Sequence, residues 1–284
     1  MKIVLGTVQF GLHYGINNLY GKPNSDQVFQ ILDYASENGI ESLDTADSYG
    51  NAEMVLGNYN ENNGTRFTIN TKFKINNEPV SVQLLNSLHR LQTKSIGTYF
   101  YHSFADYKSK PEILTQLKKL KSDNLIQNIG VSVYSNEQLN DVAMSEHINV
   151  IQLPFNMLDN RSKRFDYLTK AKDLGKKIQV RSVFLQGLFF KPLDVLDKKL
   201  LPLKCYLEQL HKLSADTKID MEKLALQYVA CQSTIDEIII GVDNIDQLRK
   251  NLAYVHESLD PAIINEIDKI TVTEEDLLLP VNWN

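Results

Sequence analysis

Cysteine is scarce: Cys205 and Cys231 are the only two in 284 residues. They form no Cys-x-x-Cys pair, so neither a disulfide scaffold nor a zinc site is expected. Long apolar runs are missing as well. Nothing approaches the roughly 18 residues that a transmembrane helix needs. The opening MKIVLGTVQF lacks the apolar stretch of a secretory leader and reads as a strand. A reducing cytoplasm is the expected location. Positive charge is not in excess, because the formal net charge is -5. General nucleic-acid binding, which wants a basic face, is therefore not expected. No Pro/Gly/Ser-rich linker or low-complexity tract divides the chain, and one domain over residues 1–284 is the simplest organisation.

What is present is a regular alternation. Short apolar runs read as strands at Ile3 to Val8, Glu41 to Asp44, Phe67 to Lys72, Thr98 to His102, Gln127 to Ser132, Val150 to Leu153, Lys177 to Val183 and Glu237 to Ile240. They are continuous rather than alternating, as buried parallel strands are. Helical patterns fill the gaps. Asn24-Ser25 opens one whose Val28, Ile31, Leu32 and Ala35 share a face, and Gly39 stops it. Pro111 begins another, with Ile113, Leu114, Leu117 and Leu120 on one side. Ser135 with Gln138, and Asn244 with Gln247, fit capping boxes. Asp220 precedes a further stretch with Leu224, Ala225, Tyr228 and Val229.

Eight strands alternating with helices predict a parallel α/β fold. A doubly wound sheet is the rival; the number and regularity of the units favour a closed (β/α)8 TIM barrel. Leu185 to Leu213 is long for one crossover and predicts an extra helix near Leu200 to Leu213. Glu274 to Asn284 forms a C-terminal tail near the barrel mouth, where long loops usually serve function.

Barrel chemistry sits at the C-terminal ends of the strands. The second predicted strand ends at Asp44 and runs into Thr45, Ala46, Asp47, Ser48, Tyr49 and Gly50. The third ends at Lys72 and the fourth at His102. An acid, a phenol, an ammonium and an imidazole thus converge on one mouth. Reducing a carbonyl needs hydride on carbon and a proton on oxygen. A phenol with a pKa near ~10 is a poor acid at neutral pH, and a nearby ammonium lowers it. In this reading Lys72 acts on Tyr49, Asp44 keeps Lys72 charged, and His102 donates to the carbonyl oxygen.

The stretches LGTVQFGLHYG, LDTADSYGNAE, NTKF and YHS resemble successive motifs of the aldo-keto reductases. The likeness continues through IGVSVYS, VIQLPFN, VRSVFLQGLF and IIIGVDNIDQLRKNL, so it covers nearly the whole chain. DTADSYG, NTK and YHS in this order form a specific signal, where any one alone is weak. The resemblance implies that Asp44, Tyr49, Lys72 and His102 are the catalytic set. It implies NADPH as cofactor, with NADH admitted, bound without a Rossmann fingerprint; neither G-x-G-x-x-G nor a P-loop occurs here. Ser132 and Gln152 match positions that hold the nicotinamide carboxamide, with Asn156 buttressing the same loop. Arg181, Ser182, Leu185 and Gly187 match the loop lying along the nicotinamide and pyrophosphate. Gly241, Val242, Asp243, Asn244, Gln247 and Asn251 match the loop and helix start that receive the adenosine end, where free N–H groups favour phosphate. Thr7 completes the expected cofactor contacts.

Three departures stand out. Ser132 is followed by Val133 where many members have Asn. Arg181 replaces the aromatic residue that commonly stacks on the nicotinamide, which suits a phosphate or an anionic or polyhydroxylated substrate. Gly241 and Gln247 stand where a lysine and an arginine often grip a 2'-phosphate. LGTVQFGLHYGI, with GKP soon after, resembles a bacterial subgroup linked to sugar and surface-polysaccharide metabolism, which implies a keto-sugar or sugar aldehyde.

Each feature also has a plainer reading. Asp44 and Lys72 suit a structural ion pair, His102 a satisfied histidine, and Tyr49 a packing residue before Gly50. The alternatives to a reductase are a cofactor-binding regulatory protein with little turnover and a barrel lyase or isomerase. The expected partner is a small carbonyl compound, with no metal, membrane or nucleic acid, and a monomer or weak oligomer.

Overall fold

A computed structural model describes residues 2–18 and 20–283 of the chain. Strand β1 (Lys2–Gly6) leads through the single turn α1 (Val8–Gly11) to α2 (Ser25–Glu37), β2 (Ser42–Asp44) and α3 (Ala52–Asn63). Next come β3 (Thr68–Phe73), α4 (Val80–Leu91), β4 (Ile96–Tyr101), α5 (Phe104–Ser109) and α6 (Glu112–Ser122). β5 (Ile126–Ser132), α7 (Asn136–Ala143), β6 (Val150–Pro154), α8 (Arg161–Asp173) and β7 (Lys177–Arg181) follow. α9 (Lys204–Thr217), α10 (Met221–Ala230), β8 (Glu237–Gly241), α11 (Ile245–Tyr254) and α12 (Pro261–Asp268) complete the order. The strands pair in parallel in chain order, and β8 returns to β1 to close a barrel. This is the expected (β/α)8 architecture, and the doubly wound alternative is excluded.

The continuous apolar runs explain the closure. β4 and β6 are buried along their whole length, as strands must be when a helical ring covers one face and the barrel interior the other. The outer helices bury one stripe each. α2 buries Val28, Ile31, Leu32 and Ala35, each larger side chain contributing about 1.5–3 kcal/mol. Asn24 and Gln27 form a complete capping box at its start.

Several expected boundaries move, for local reasons. Val8 belongs to α1, because the backbone turns at Thr7, whose N–H and hydroxyl both donate to the Asp44 carbonyl. Val183 lies outside β7, because Ser182 adopts a left-handed φ of 62°. Leu200 to Leu213 is not one helix: a 3-10 turn at Lys198–Leu203, containing Pro202, precedes α9. The boxes before α7 and α11 close one residue early. Ser135 and Asn244 accept the N3 N–H, but Gln138 and Gln247 reach Tyr134 N and Asp243 N instead. The tail folds into short 3-10 turns and is pinned by Trp283 Nε1 donating to the Leu277 carbonyl; Asn284 lies outside the described residues. Among the described residues no helix is long and apolar enough to cross a membrane.

Candidate active site

The C-terminal ends of the strands open on a cavity of about 540 Å³, lined in part by Pro280 and Val281 of the tail. A volume of roughly 300–1000 Å³ is usual for cofactor and small-molecule sites. Asp44, Tyr49, Lys72 and His102 all face this cavity. Among the described residues no cluster of His, Cys, Asp and Glu is fit to hold a metal ion.

Asp44 ends β2 and Lys72 lies near the end of β3, so the barrel brings both to one side of the mouth. Lys72 Nζ is 2.5 Å from Asp44 Oδ1, with side chains only 2% and 5% exposed. Nζ also donates to the Thr45 carbonyl at 2.8 Å. The second Asp44 oxygen accepts from Gln152 Nε2 at 2.8 Å. Burial lowers the Lys72 pKa and Asp44 opposes that shift. Nζ lies 5.2 Å from the Tyr49 ring centre. The Tyr49 and His102 rings meet edge to face, with centroids 6.1 Å apart at 88°. The structure thus brings the four side chains together.

Their electrostatics differ from expectation in one respect. The Tyr49 phenol is pushed above its ordinary value, by burial first and by the Asp44 carboxylate second, with the Arg181 guanidinium opposing. The Lys72 ammonium is not among the leading influences on it; Asp44 sits against that charge and presents the ring with both signs. His102 is pushed down to about 3, by burial first, then by Lys72, Lys74 and Arg181. It is therefore neutral at neutral pH. Ser48 Oγ lies 3.4 Å from its Nδ1.

Two glycines position the Tyr49 turn. A Cβ on Gly11 would fall 1.8 Å from the Tyr49 carbonyl oxygen. Gly50 has a φ of +57°, and its Cβ would fall 2.5 Å from the Gly11 carbonyl oxygen. α1 and the Tyr49 turn therefore pack backbone against backbone, which only glycine permits.

Of the residues expected to hold a cofactor, Thr7, Ser132, Gln152, Arg181, Ser182, Gly187, Gly241, Gln247 and Asn251 line the cavity. Leu185 and Asn244 do not. Leu185 is fully buried in the core, and Asn244 is taken up in capping α11 through Gln247 N. Asn156 supports the loop after β7 directly, with Nδ2 donating to the Ser182 carbonyl at 3.2 Å. That loop holds Ser182, Leu185, Gln186 and Gly187 at φ of 62°, 45°, 54° and 88°. The Gln186 carbonyl accepts from Ile16 N at 3.1 Å, and its side chain donates to the Tyr14 hydroxyl at 2.9 Å.

Sequence reasoning missed part of the wall. The Arg181 guanidinium lies 4.4 Å from the ring centre of Tyr134, the second residue beyond β5. Gln9 and Tyr134 also line the cavity, and no side-chain pattern singles them out; Asp243, expected at the adenosine end, lines it too. Buried polar atoms without a partner collect here: Gln9 Oε1, Gln152 Oε1, Arg181 Nη2 and Asp243 Oδ1. Buried polar groups are nearly always paired, so this cluster of acceptors and one cationic donor fits an elongated polar ligand. A nicotinamide dinucleotide, with an amide, hydroxyls and phosphates, matches that set.

The sequence model of the family described as aldo/keto reductase matches residues 2–272. The chain is 25% identical over 252 residues to the uncharacterized oxidoreductase YqkF of Bacillus subtilis, covering 80% of this chain and 81% of that one. It is 26% identical over 279 residues to the chloroplastic pyridoxal reductase of Arabidopsis thaliana, covering 84% and 75%. Its fold matches the holo form of the aldo-keto reductase AKR11C1 from Bacillus halodurans, with a TM-score of 0.78 over 95% of this chain and 92% of that one, at 21% identity.

Proposed function

The chain belongs to the aldo/keto reductase family, and from that membership we propose that it reduces an aldehyde or ketone, with the proton delivered by Tyr49. The observation that carries the proposal is the convergence of Tyr49, His102 and the Lys72–Asp44 pair on one wall of the cavity. When bound, a nicotinamide would supply the hydride for the carbonyl carbon.

Tyr49 keeps its hydrogen at neutral pH, because burial and Asp44 disfavour the phenolate. It gives that hydrogen to the alkoxide as it forms, a much stronger base than phenolate. The Arg181 guanidinium, which opposes the upward shift of the phenol, then favours the phenolate left behind. Asp44 holds Lys72 in place and charged against the cost of burial. A Ser48 hydroxyl donating to Nδ1 of neutral His102 leaves hydrogen on Nε2, available to the substrate oxygen.

The cofactor we propose is NADH in preference to NADPH. Gly241, Asp243, Gln247 and Asn251 line the end matching the adenosine site. Among the described residues no lysine or arginine lines that end, and the Asp243 carboxylate, with Oδ1 unpartnered and Oδ2 accepting from Gln247 Nε2, suits a 2'-hydroxyl better than a 2'-phosphate. For the substrate we propose a sugar-like carbonyl compound carrying an acidic group. Arg66, Arg90, Arg161, Arg164 and Arg249 each pair with a carboxylate, and among the described residues Arg181 alone has none.

The test is consumption of NADH with matched aldehydes that differ by one carboxylate. Turnover is expected to drop about 10²- to 10⁴-fold in Tyr49→Phe, with cofactor binding retained. Preference for the acidic aldehyde is expected to vanish in Arg181→Gln. Undiminished turnover in Tyr49→Phe would remove the proton-donor assignment.

A further inference from the structure

A row of buried polar side chains crosses the barrel interior from mouth to floor. It begins at the Lys72–Asp44 pair. Gln152 Nε2 donates to Asp44 Oδ2 at 2.8 Å and to Gln179 Oε1 at 2.6 Å. Gln179 Nε2 donates to Glu237 Oε2 at 3.0 Å. Glu237 Oε1 meets Lys177 Nζ at 2.5 Å. Gln152, Gln179 and Glu237 are buried, whereas Lys177 reaches solvent.

The register explains the path. Gln152 pairs laterally with Gln179, and Gln179 with Glu237. Gln152 and Gln179 sit mid-strand, but Glu237 is the first residue of β8. Strands tilt about a barrel axis, so lateral steps from β6 to β8 descend toward the floor.

The row has a compulsory direction. A carboxylate only accepts hydrogen bonds, so Glu237 draws the NH2 of Gln179. Gln179 must then turn its oxygen to Gln152. The NH2 of Gln152 is used up by Gln179 and by Asp44, which also only accepts. The one atom left over is Gln152 Oε1, buried, unpartnered and on the cavity wall.

We infer that Glu237 and Gln179 are positioning residues that fix the Gln152 amide so that its oxygen faces the cavity, as acceptor for the carboxamide N–H of the nicotinamide. The choice of ligand rests on the cofactor reading above; the fixed amide does not.

Glu237→Gln tests the direction. The Lys177 ammonium attracts the single amide oxygen, which turns the new NH2 toward Gln179. Gln179 must then reverse, and its NH2 meets that of Gln152. The compensating pair Glu237→Gln with Gln179→Glu restores an acceptor beside Gln152. The readout is the ratio of dissociation constants for NADH and for reduced 3-acetylpyridine adenine dinucleotide, in which a methyl group replaces the carboxamide NH2. Wild type is expected to prefer NADH by about tenfold, the worth of one good hydrogen bond. Glu237→Gln is expected to fall within about twofold of unity, and the compensated variant to recover the preference. A merely structural role would weaken both dinucleotides alike. An unchanged ratio in Glu237→Gln, or no recovery in the pair, overturns the inference. If Glu237→Gln does not fold, Gln179→Met removes the same acceptor and carries the same expectation.

Selective 15N-glutamine labelling reads the amide without any ligand. Exchange of the Gln152 side-chain hydrogens is expected to be slow in wild type and faster in Glu237→Gln. Equal exchange rates refute the inference. A wild type that binds neither dinucleotide counts against the cofactor reading alone.

Discussion

Replacing Asp44 with asparagine isolates what the buried ion pair contributes. Asparagine keeps the shape but offers one acceptor oxygen where two donors, Lys72 Nζ and Gln152 Nε2, now point. Its NH2 must face one of them. Removing one partner of a buried pair costs about 3–5 kcal/mol, because the other charge stays buried. Unfolding entropy of about 2.1 cal/mol/K per residue over 284 residues comes to about 0.6 kcal/mol/K, so Tm falls by about 5–8 °C. The pH dependence carries the sign. Burial already holds Lys72 below the usual 10.5, and Asp44 is the largest influence opposing that. In Asp44→Asn the folded-state pKa drops further. The unfolded chain then binds more protons than the folded one over a window reaching down from 10.5 toward neutrality, and stability rises with pH across it. The gap between variant and wild type therefore narrows as pH is raised. Asp44→Leu with Lys72→Met removes both charges and is expected to recover most of the stability but none of the activity. The assay is chemical denaturation from about pH 7 to pH 10. Unfolding within about 1 kcal/mol of wild type, with parallel pH curves, would refute the reasoning.

The remaining predictions concern single positions. His102 titrates at about 3 in the folded protein against 6.5 unfolded, so the unfolded state binds the extra proton between those values. Wild type is expected to lose more stability than His102→Gln as pH falls below about 6.5, read from urea midpoints. Gly11→Ala drives a methyl group into the Tyr49 carbonyl and is expected to cost about 1–3 kcal/mol or more; turnover falls although no reacting group changes. Asn24→Ala breaks the α2 capping box on the outer ring and is expected to cost about 1 kcal/mol with turnover intact.

Much of this architecture is legible in the residues. Runs such as VIQLP and EIIIG can satisfy a strand only if both faces are covered, which already requires a ring of helices. The catalytic-type side chains were legible because each falls at or just after a strand end. Boundaries failed where backbone conformation, not composition, decided them. Nothing in Ser182 announces a left-handed φ, and Val8 looks equally at home in a strand or a turn. Tyr134 is not legible as a wall residue, because its placement depends on Gln138 holding its N–H group, a contact one residue away from the usual capping pattern. Gln179 and Glu237 did leave a signal, as polar residues within otherwise apolar strands. Their shared direction needed the register to reveal it. The electrostatic setting of Tyr49 is not legible, because sequence shows a charge without showing how closely another neutralises it.

The left-handed residues after β7 bear on how firmly this wall of the mouth is held. Non-glycine residues held there cost roughly 1–2 kcal/mol each, and Ser182, Leu185 and Gln186 all adopt that conformation. Gln186 latches the loop to the segment after β1 through Ile16 and Tyr14. Unlatching gives up those hydrogen bonds but relaxes the twisted backbone, so the two changes partly cancel. The strain stored in this loop thus lowers the cost of its local opening. Amide hydrogen exchange at Ile16 should accordingly outpace that of the neighbouring barrel strands by a wide margin.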